Sequence, residues 1–264
     1  MAELGVEIEL GATGMSVEMN DTEKEFSSVQ VKREGGSTHT IPCRTIVLAA
    51  GPWSNRVFRQ LFPGAKISIP MNPTETAGNH FRVKAPGWNP ESEKYKKSVQ
   101  VYYTNVTPDG SRFDVTSFTN GDLYIGGWGA IPERIPDLAT SVHAQPEMIK
   151  AMIPATKRYV KVDPDKDLDY FDAGRCYRPT TAVGRPIITK VDWNLLAKTS
   201  SSKASPECSS KDSKVIGGLF INTGHGSSGV SQGPGSGKVV SDLVLGKTPS
   251  VDLSGLGLPD EAHL

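Results

Sequence analysis

Apolar and polar positions follow three different rhythms along the chain, and each predicts a different kind of element. Short unbroken apolar runs form the first. Thr45-Ile46-Val47-Leu48-Ala49-Ala50 ends in small residues before Gly51-Pro52-Trp53, and Gly218-Leu219-Phe220-Ile221-Asn222 runs into a glycine-dense segment. The first run predicts a buried parallel strand meeting a helix, and the second a strand. After the first run, Ser54 stands where a helix cap is expected, ahead of an amphipathic stretch over residues 55–62. The second rhythm is strict alternation, in residues 99–103, 112–118 and 123–128, broken by Pro108-Asp109-Gly110 and by Thr119-Asn120-Gly121-Asp122. Alternation around such turn signals predicts an antiparallel sheet built from hairpins. The third is helical: Gln145-Pro146-Glu147 opens a stretch with Met148, Ile149, Met152 and Ile153 at helical spacing, which reads as core packing. Pro154 is expected to kink or divide that helix. The serine-rich stretch 199–214 is too polar to pack and reads as a surface loop. No internal repeat is evident.

Composition narrows the function classes. The 264 residues include 29 basic and 29 acidic side chains. Zero net charge provides no basic stripe to displace counterions, which argues against nucleic-acid and anionic-membrane partners. No apolar run approaches the roughly 18 residues of a membrane span, and no basic-then-apolar leader opens the chain, so a soluble intracellular protein is expected. Cys43, Cys176 and Cys208 are too scattered for a disulfide framework or a zinc cluster, and the five histidines show no ligand spacing, so no metal is expected. Asn105-Val106-Thr107 fits a glycosylation acceptor but, without a secretory leader, reads as chance.

Candidate chemistry concentrates after the last apolar run. Thr223-Gly224-His225-Gly226-Ser227-Ser228-Gly229, followed by Gly233-Pro234-Gly235-Ser236-Gly237, reads as an anion cradle feeding a helix. Glycines let backbone approach a ligand closely, and a helix start offers free N–H groups at its positive end. Two other readings of the same residues are a plain strand-to-helix connection and a site for some other nucleotide.

The segment Thr45-Ile46-Val47-Leu48-Ala49-Ala50-Gly51-Pro52-Trp53-Ser54, the terminal glycine segment and the block Gly174-Arg175-Cys176-Tyr177-Arg178-Pro179-Thr180-Thr181-Ala182-Val183-Gly184-Arg185-Pro186-Ile187-Ile188 together resemble the FAD-dependent D-amino-acid oxidase superfamily. That group includes glycine, sarcosine and pipecolate oxidases, and the likeness is strongest to its fungal branch. The resemblance implies a mixed α/β fold in which a Rossmann-like FAD-binding layer is interleaved with an antiparallel-sheet substrate domain. Residues 1–62 and 173–264 would form the FAD-binding parts and residues 63–172 the substrate domain. It implies FAD as cofactor, a small-molecule amine or amino acid as substrate, and hydride transfer from the carbon beside nitrogen to the flavin. The oligomeric state stays open.

Site residues follow by the same resemblance. Arg178 falls on the arginine that grips the substrate carboxylate, the other reading being an ordinary ion pair. Cys176, two residues earlier on a strand, shares its face and matches a cysteine that tethers flavin covalently in the sarcosine-oxidase branch; an inert buried thiol is the alternative. His225 would lie by the flavin ring as a catalytic or merely loop-holding group, with Gly224, Gly226, Ser227, Ser228 and Gly229 binding the cofactor. Arg178 and this turn would border one cavity. Ala50, Gly51 and Trp53 would bind cofactor from the first strand-to-helix turn. Ala12 would do so from residues 5–14, which resemble a strand beside the adenine.

Departures from the family pattern matter too. Family members open with a strand, a Gly-x-Gly-x-x-Gly turn and a helix, and no such fingerprint is read in this chain, which opens instead at residues 5–14. The expectation is an incomplete pyrophosphate site in a truncated form, or else a non-catalytic remnant that binds a partner. Thr116-Ser117-Phe118 stands where fungal relatives resemble Tyr-Pro-Arg, so substrate identity does not carry over. Ala262-His263-Leu264 resembles a peroxisomal address of the Ser-Lys-Leu type.

Overall fold

The structure, a computed structural model, describes residues 4–22, 24–72, 76–103, 113–163, 165–196 and 215–259. The turn signal at 108–110, the acceptor pattern at 105–107, Cys208, the stretch 199–214 and the terminal tripeptide lie outside the described residues. In chain order the elements are β1 (Ala12–Asn20), β2 (Glu25–Arg33), β3 (Thr38–Pro42), β4 (Thr45–Leu48), α1 (Ser54–Leu61), β5 (Thr76–Lys84), β6 (Gln100–Tyr103), β7 (Phe113–Ser117), β8 (Asp122–Trp128), α2 (Pro146–Tyr159), β9 (Phe171–Tyr177), β10 (Ile187–Lys190), β11 (Gly218–Thr223) and α3 (Gly229–Val244). The chain divides into two units, one of residues 1–72 with 179–264 and one of residues 73–178.

The first unit carries two three-stranded sheets, β1-β2-β3 and β10-β11-β4. β11 pairs antiparallel with β10 and parallel with β4. Its side chains alternate between two cores. Leu219 and Ile221 pack with Leu48, Phe58, Leu61, Ile67 and Ile69, while Phe220 packs with Ile188 and with Val239 and Val240 of α3. Burial on both faces explains the continuous apolar run of β11. β4 reads similarly in sequence but is an edge strand, and Val47 is 45% exposed there. Residues 5–10 do not form the expected strand: β1 begins at Ala12, opposite Arg33, and among the described residues no strand lies beside the preceding segment. Glu9 holds that segment through Arg33 and His39.

Two helix starts also differ from expectation. Trp53, not Ser54, occupies the N-cap of α1, and Ser54 is its first residue. Gly233, Gly235 and Gly237 lie inside α3 with exposed backbone, so they form no part of a cradle.

The second unit is a five-stranded sheet, β6-β7-β8-β5-β9. Phe81, Val83, Phe113 and Ile125 line one face and meet Ile149, Met152 and Ala155 of α2. α2 runs unbroken across Pro154. Pro154 and Lys150 are both exposed, so the carbonyl deprived of its donor faces solvent and the interruption costs little. Three glycine- or aspartate-centred irregularities bend the sheet: Gly78 (φ +91°) and Asp172 (φ +53°) at the β5–β9 pair, and Gly127 (φ +76°) at β5–β8.

Candidate functional site

In the first unit, the turns after β4 and β11 are tied by three oxygens. Ser54 Oγ lies 2.7 Å from the Gly51 carbonyl and 2.9 Å from Thr223 Oγ1, which is itself 3.1 Å from that carbonyl. Gly51, Gly224 and Gly226 all take positive φ (+53°, +85° and +57°), conformations that a Cβ disfavours. At Gly224 a Cβ would lie 2.5 Å from Thr181 Cγ2. The segment after Pro179 is laced to the turn, since the Gly226 N–H donates to the Pro179 carbonyl (3.1 Å) and the Asn72 N–H to that of Thr180 (2.9 Å). Among the described residues, three buried polar atoms of this region have no partner: Thr180 Oγ1, Asn222 Oδ1 and His225 Nε2. Burial pushes the His225 imidazole down from its ordinary value, which keeps it neutral at pH 7. The first unit also has a cavity of about 350 Å³ at the far end of β11, lined by Lys24, Lys190 and Trp193 among others, away from the glycine turn.

In the second unit, the sheet face opposite α2 is polar and organised around two glycines. Asp114 pairs with Gly126, and His80 with Gly174, so an acid, a glycine, an imidazole and a glycine follow one another across β7, β8, β5 and β9. A Cβ on Gly126 would lie 2.4 Å from Tyr124 Cε1, and one on Gly174 would lie 2.8 Å from His80 Nε2. The bare backbone therefore lets both rings lie flat on the sheet, where they stack with centroids 5.1 Å apart. β9 sorts its side chains by period two. Arg175 turns to the other face, where Glu133 (2.7 Å) and the His143 carbonyl (3.1 Å) hold it. Cys176 and Arg178 share the polar face. Among the described residues Arg178 has no ion-pair partner.

The charges of this face act on one another. Burial pushes the Asp114 carboxyl up, against hydrogen bonding from Gln100 and attraction from Arg178 and His80. Burial pushes His80 down, so its imidazole is neutral at pH 7. Tyr124 is pushed up to about 12, by burial first and then by Asp114 and Cys176, and stays protonated. Cys176 is exposed at its edge, yet desolvation raises its thiol by more than Arg178 lowers it. Thiolate character, which a covalent flavin tether requires, is thereby disfavoured.

Of the residues singled out from sequence, Gly51, Gly224 and Gly226 meet in the first unit beside His225, and Ser228 and Gly229 lead into α3. Ala50 and Trp53 flank Gly51, with the Trp53 N–H donating to the Ala50 carbonyl (3.1 Å). Ser227 is exposed, and Ala12 sits at the start of β1 opposite Arg33. Cys176 and Arg178 lie together in the second unit. Thr180, Asn222 and Thr223 stood inside segments singled out from sequence without a role of their own, and His80, Asp114 and Tyr124 were missed altogether. The spacing Gly224-x-Gly226-x-x-Gly229 between a strand and a helix was also passed over. Among the described residues no strand follows α3.

A family model described as FAD dependent oxidoreductase matches residues 1–243. The chain belongs to this family of FAD-dependent oxidoreductases. A D-amino acid dehydrogenase of Bradyrhizobium diazoefficiens is 26% identical over 219 residues, covering 82% of this chain and 40% of the relative. The chain thus spans less than half of that relative's length. Two solved structures share the fold: glycine oxidase from Bacillus cereus (17% identity, TM-score 0.59, 95% of this chain and 54% of that one) and L-amino acid deaminase from Proteus vulgaris (20% identity, TM-score 0.59, 97% and 51%). FAD is the family's cofactor. The glycine turn fits such a group, because Gly224 and Gly226 open the backbone to close approach while three unpartnered buried polar atoms stand around it. Among the described residues no cluster of His, Cys, Asp or Glu could hold a metal ion, and no helix is long and apolar enough to cross a membrane.

Proposed function

We propose that this chain takes part in FAD-dependent oxidation of an amine or amino acid at its carbon–nitrogen bond. The carrying observation is the glycine turn with its unpartnered Thr180, Asn222 and His225 atoms, in a chain whose family match spans residues 1–243. When bound, FAD supplies the acceptor for the hydride leaving the carbon beside nitrogen. Gly224, Gly226, Ser227, Ser228 and Gly229 would hold it, with Ala50, Gly51 and Trp53 from the β4–α1 turn and Ala12; by the family resemblance Cys176 would also bind it. His225, neutral and without a partner at Nε2, would hydrogen-bond the cofactor rather than exchange charge with it. Arg178 would grip the substrate carboxylate through its planar guanidinium. His80 and Tyr124 would form the flat floor under the substrate.

One observation favours a second reading, in which the chain only binds. Among the described residues no strand follows α3, so the glycine spacing at Gly224 stands without the second strand of a βαβ unit. Titration of the full chain with FAD, followed by quenching of flavin fluorescence, separates the two. The catalytic reading expects weak, saturable quenching that Gly226→Ala, whose added Cβ would meet only Thr180 Cγ2 at 3.7 Å, weakens while circular dichroism stays unchanged. No quenching by the unsubstituted chain at millimolar FAD would favour the binding role.

A further inference from the structure

The polar face of the second unit holds an acid that the reading above leaves without a task. Other carboxylates on or near this sheet are engaged: Asp122 by Lys84 and Arg82, Asp172 by Arg82, Glu133 by Arg175. Asp114 is different. It is 9% exposed, it receives a hydrogen bond from Gln100, and it has no ion pair among the described residues. A desolvated carboxylate without a cation is costly, so a cation arriving from outside would find it ready to bind. Arg178 is the complementary case, a guanidinium on the same face without a carboxylate. Across the strands from Asp114 lie flat or absent side chains, Gly126 next to it, then His80 with Tyr124 stacked on it, then Gly174, and Cys176 follows on β9 before Arg178. Neither ring carries charge at neutral pH, and Arg82 is already neutralised by Asp122 and Asp172. Among the described residues, the face therefore presents one negative and one positive group without an ion pair, across an uncharged aromatic floor.

We infer that Asp114 is the specificity-determining residue for the substrate's amine, so that this face takes a zwitterionic α-amino or N-alkyl amino acid in preference to the matching carboxylic acid. The assignment rests on Arg178 as the carboxylate grip. Asp114 accepts from the ammonium, Arg178 donates to the carboxylate, and the glycine-floored rings leave room for the carbon that joins them.

The test uses the full chain, with alanine and propionate as probes, and reads the His80 imidazole proton by NMR as each is titrated. Alanine should bind about tenfold or more tightly than propionate; Asp114→Asn should remove that margin by weakening alanine alone, with propionate held within about twofold. Asparagine keeps the shape and a partner for Gln100 while removing the charge, and Asp114→Glu should restore part of the margin. Arg178→Met should weaken both probes. A margin that survives in Asp114→Asn overturns the amine assignment while leaving the carboxylate reading intact. Failure of the unsubstituted chain to bind either probe overturns both.

Discussion

Replacing Gly224 by alanine tests whether the turn after β11 is as tightly specified as its geometry indicates. Two costs act together. A φ of +85° costs a side-chain-bearing residue about 1–2 kcal/mol. The new Cβ, 2.5 Å from Thr181 Cγ2 with Pro186 Cα 3.3 Å away, forces repacking worth about 1–3 kcal/mol. Alanine's smaller unfolded-state entropy offsets about 0.4–1 kcal/mol. The net loss is about 1–4.5 kcal/mol, centred near 3. Gly51→Ala shares the backbone cost (φ +53°) but meets nothing within 4 Å, so its loss is about 0–1.5 kcal/mol. Gly233→Ala, inside α3 with open space around it, should gain up to about 1 kcal/mol. Urea titrations read by hydrogen exchange of the β11 amides report on the first unit directly. A loss in Gly224→Ala no greater than that in Gly51→Ala would refute the tight packing of this turn.

Three further outcomes follow from the electrostatics. Cys176 should alkylate slowly at neutral pH, with a midpoint above that of an ordinary thiol; Arg178→Met, which removes the one group lowering it, should slow alkylation further, as mass spectrometry of iodoacetamide-treated protein would register. In an alkaline absorbance titration one tyrosine should ionise near 12, and that late step should vanish in Tyr124→Phe. His80 and His225 are both pushed below their ordinary 6.5 by burial, so above 6.5 their contribution to stability is complete. Between 6.5 and the lower folded values only the unfolded chain takes the protons, so stability falls as pH falls through that window. Urea midpoints measured across the window should decline for the unsubstituted chain and decline less for His225→Gln.

Much of the architecture was legible because it depends on local pattern. The apolar run of β11, the hairpin around Asn120-Gly121, the helical spacing of Ile149 and Met152 and the sharing of one strand face by Cys176 and Arg178 are all carried by neighbouring residues. What escaped depends on partners distant in sequence. β4 and β11 read alike, yet β11 is enclosed and β4 lies at an edge, a difference decided by pairing rather than composition. Residues 5–10 alternate as a strand would but have no described neighbour to bond. The polar face was invisible for the same reason. Asp114, Gly126, His80 and Gly174 come from four segments, and only register brings them into one row. Two of the four are glycines whose role is to leave space, a role that becomes apparent once the rings above them are placed.

The most direct test of the account saturates the full chain with FAD, excludes oxygen, and follows the flavin's absorbance after D-amino acids, N-methyl amino acids or pipecolate are added. The expected result is bleaching by at least one of these amino acids, none by the matching carboxylic acid, and a rate lowered about a hundredfold in Arg178→Met, as expected when a charge-assisted grip on the reacting substrate is lost. A flavin that stays oxidised with all three classes, or one that Arg178→Met bleaches as fast as the unsubstituted chain, would contradict it.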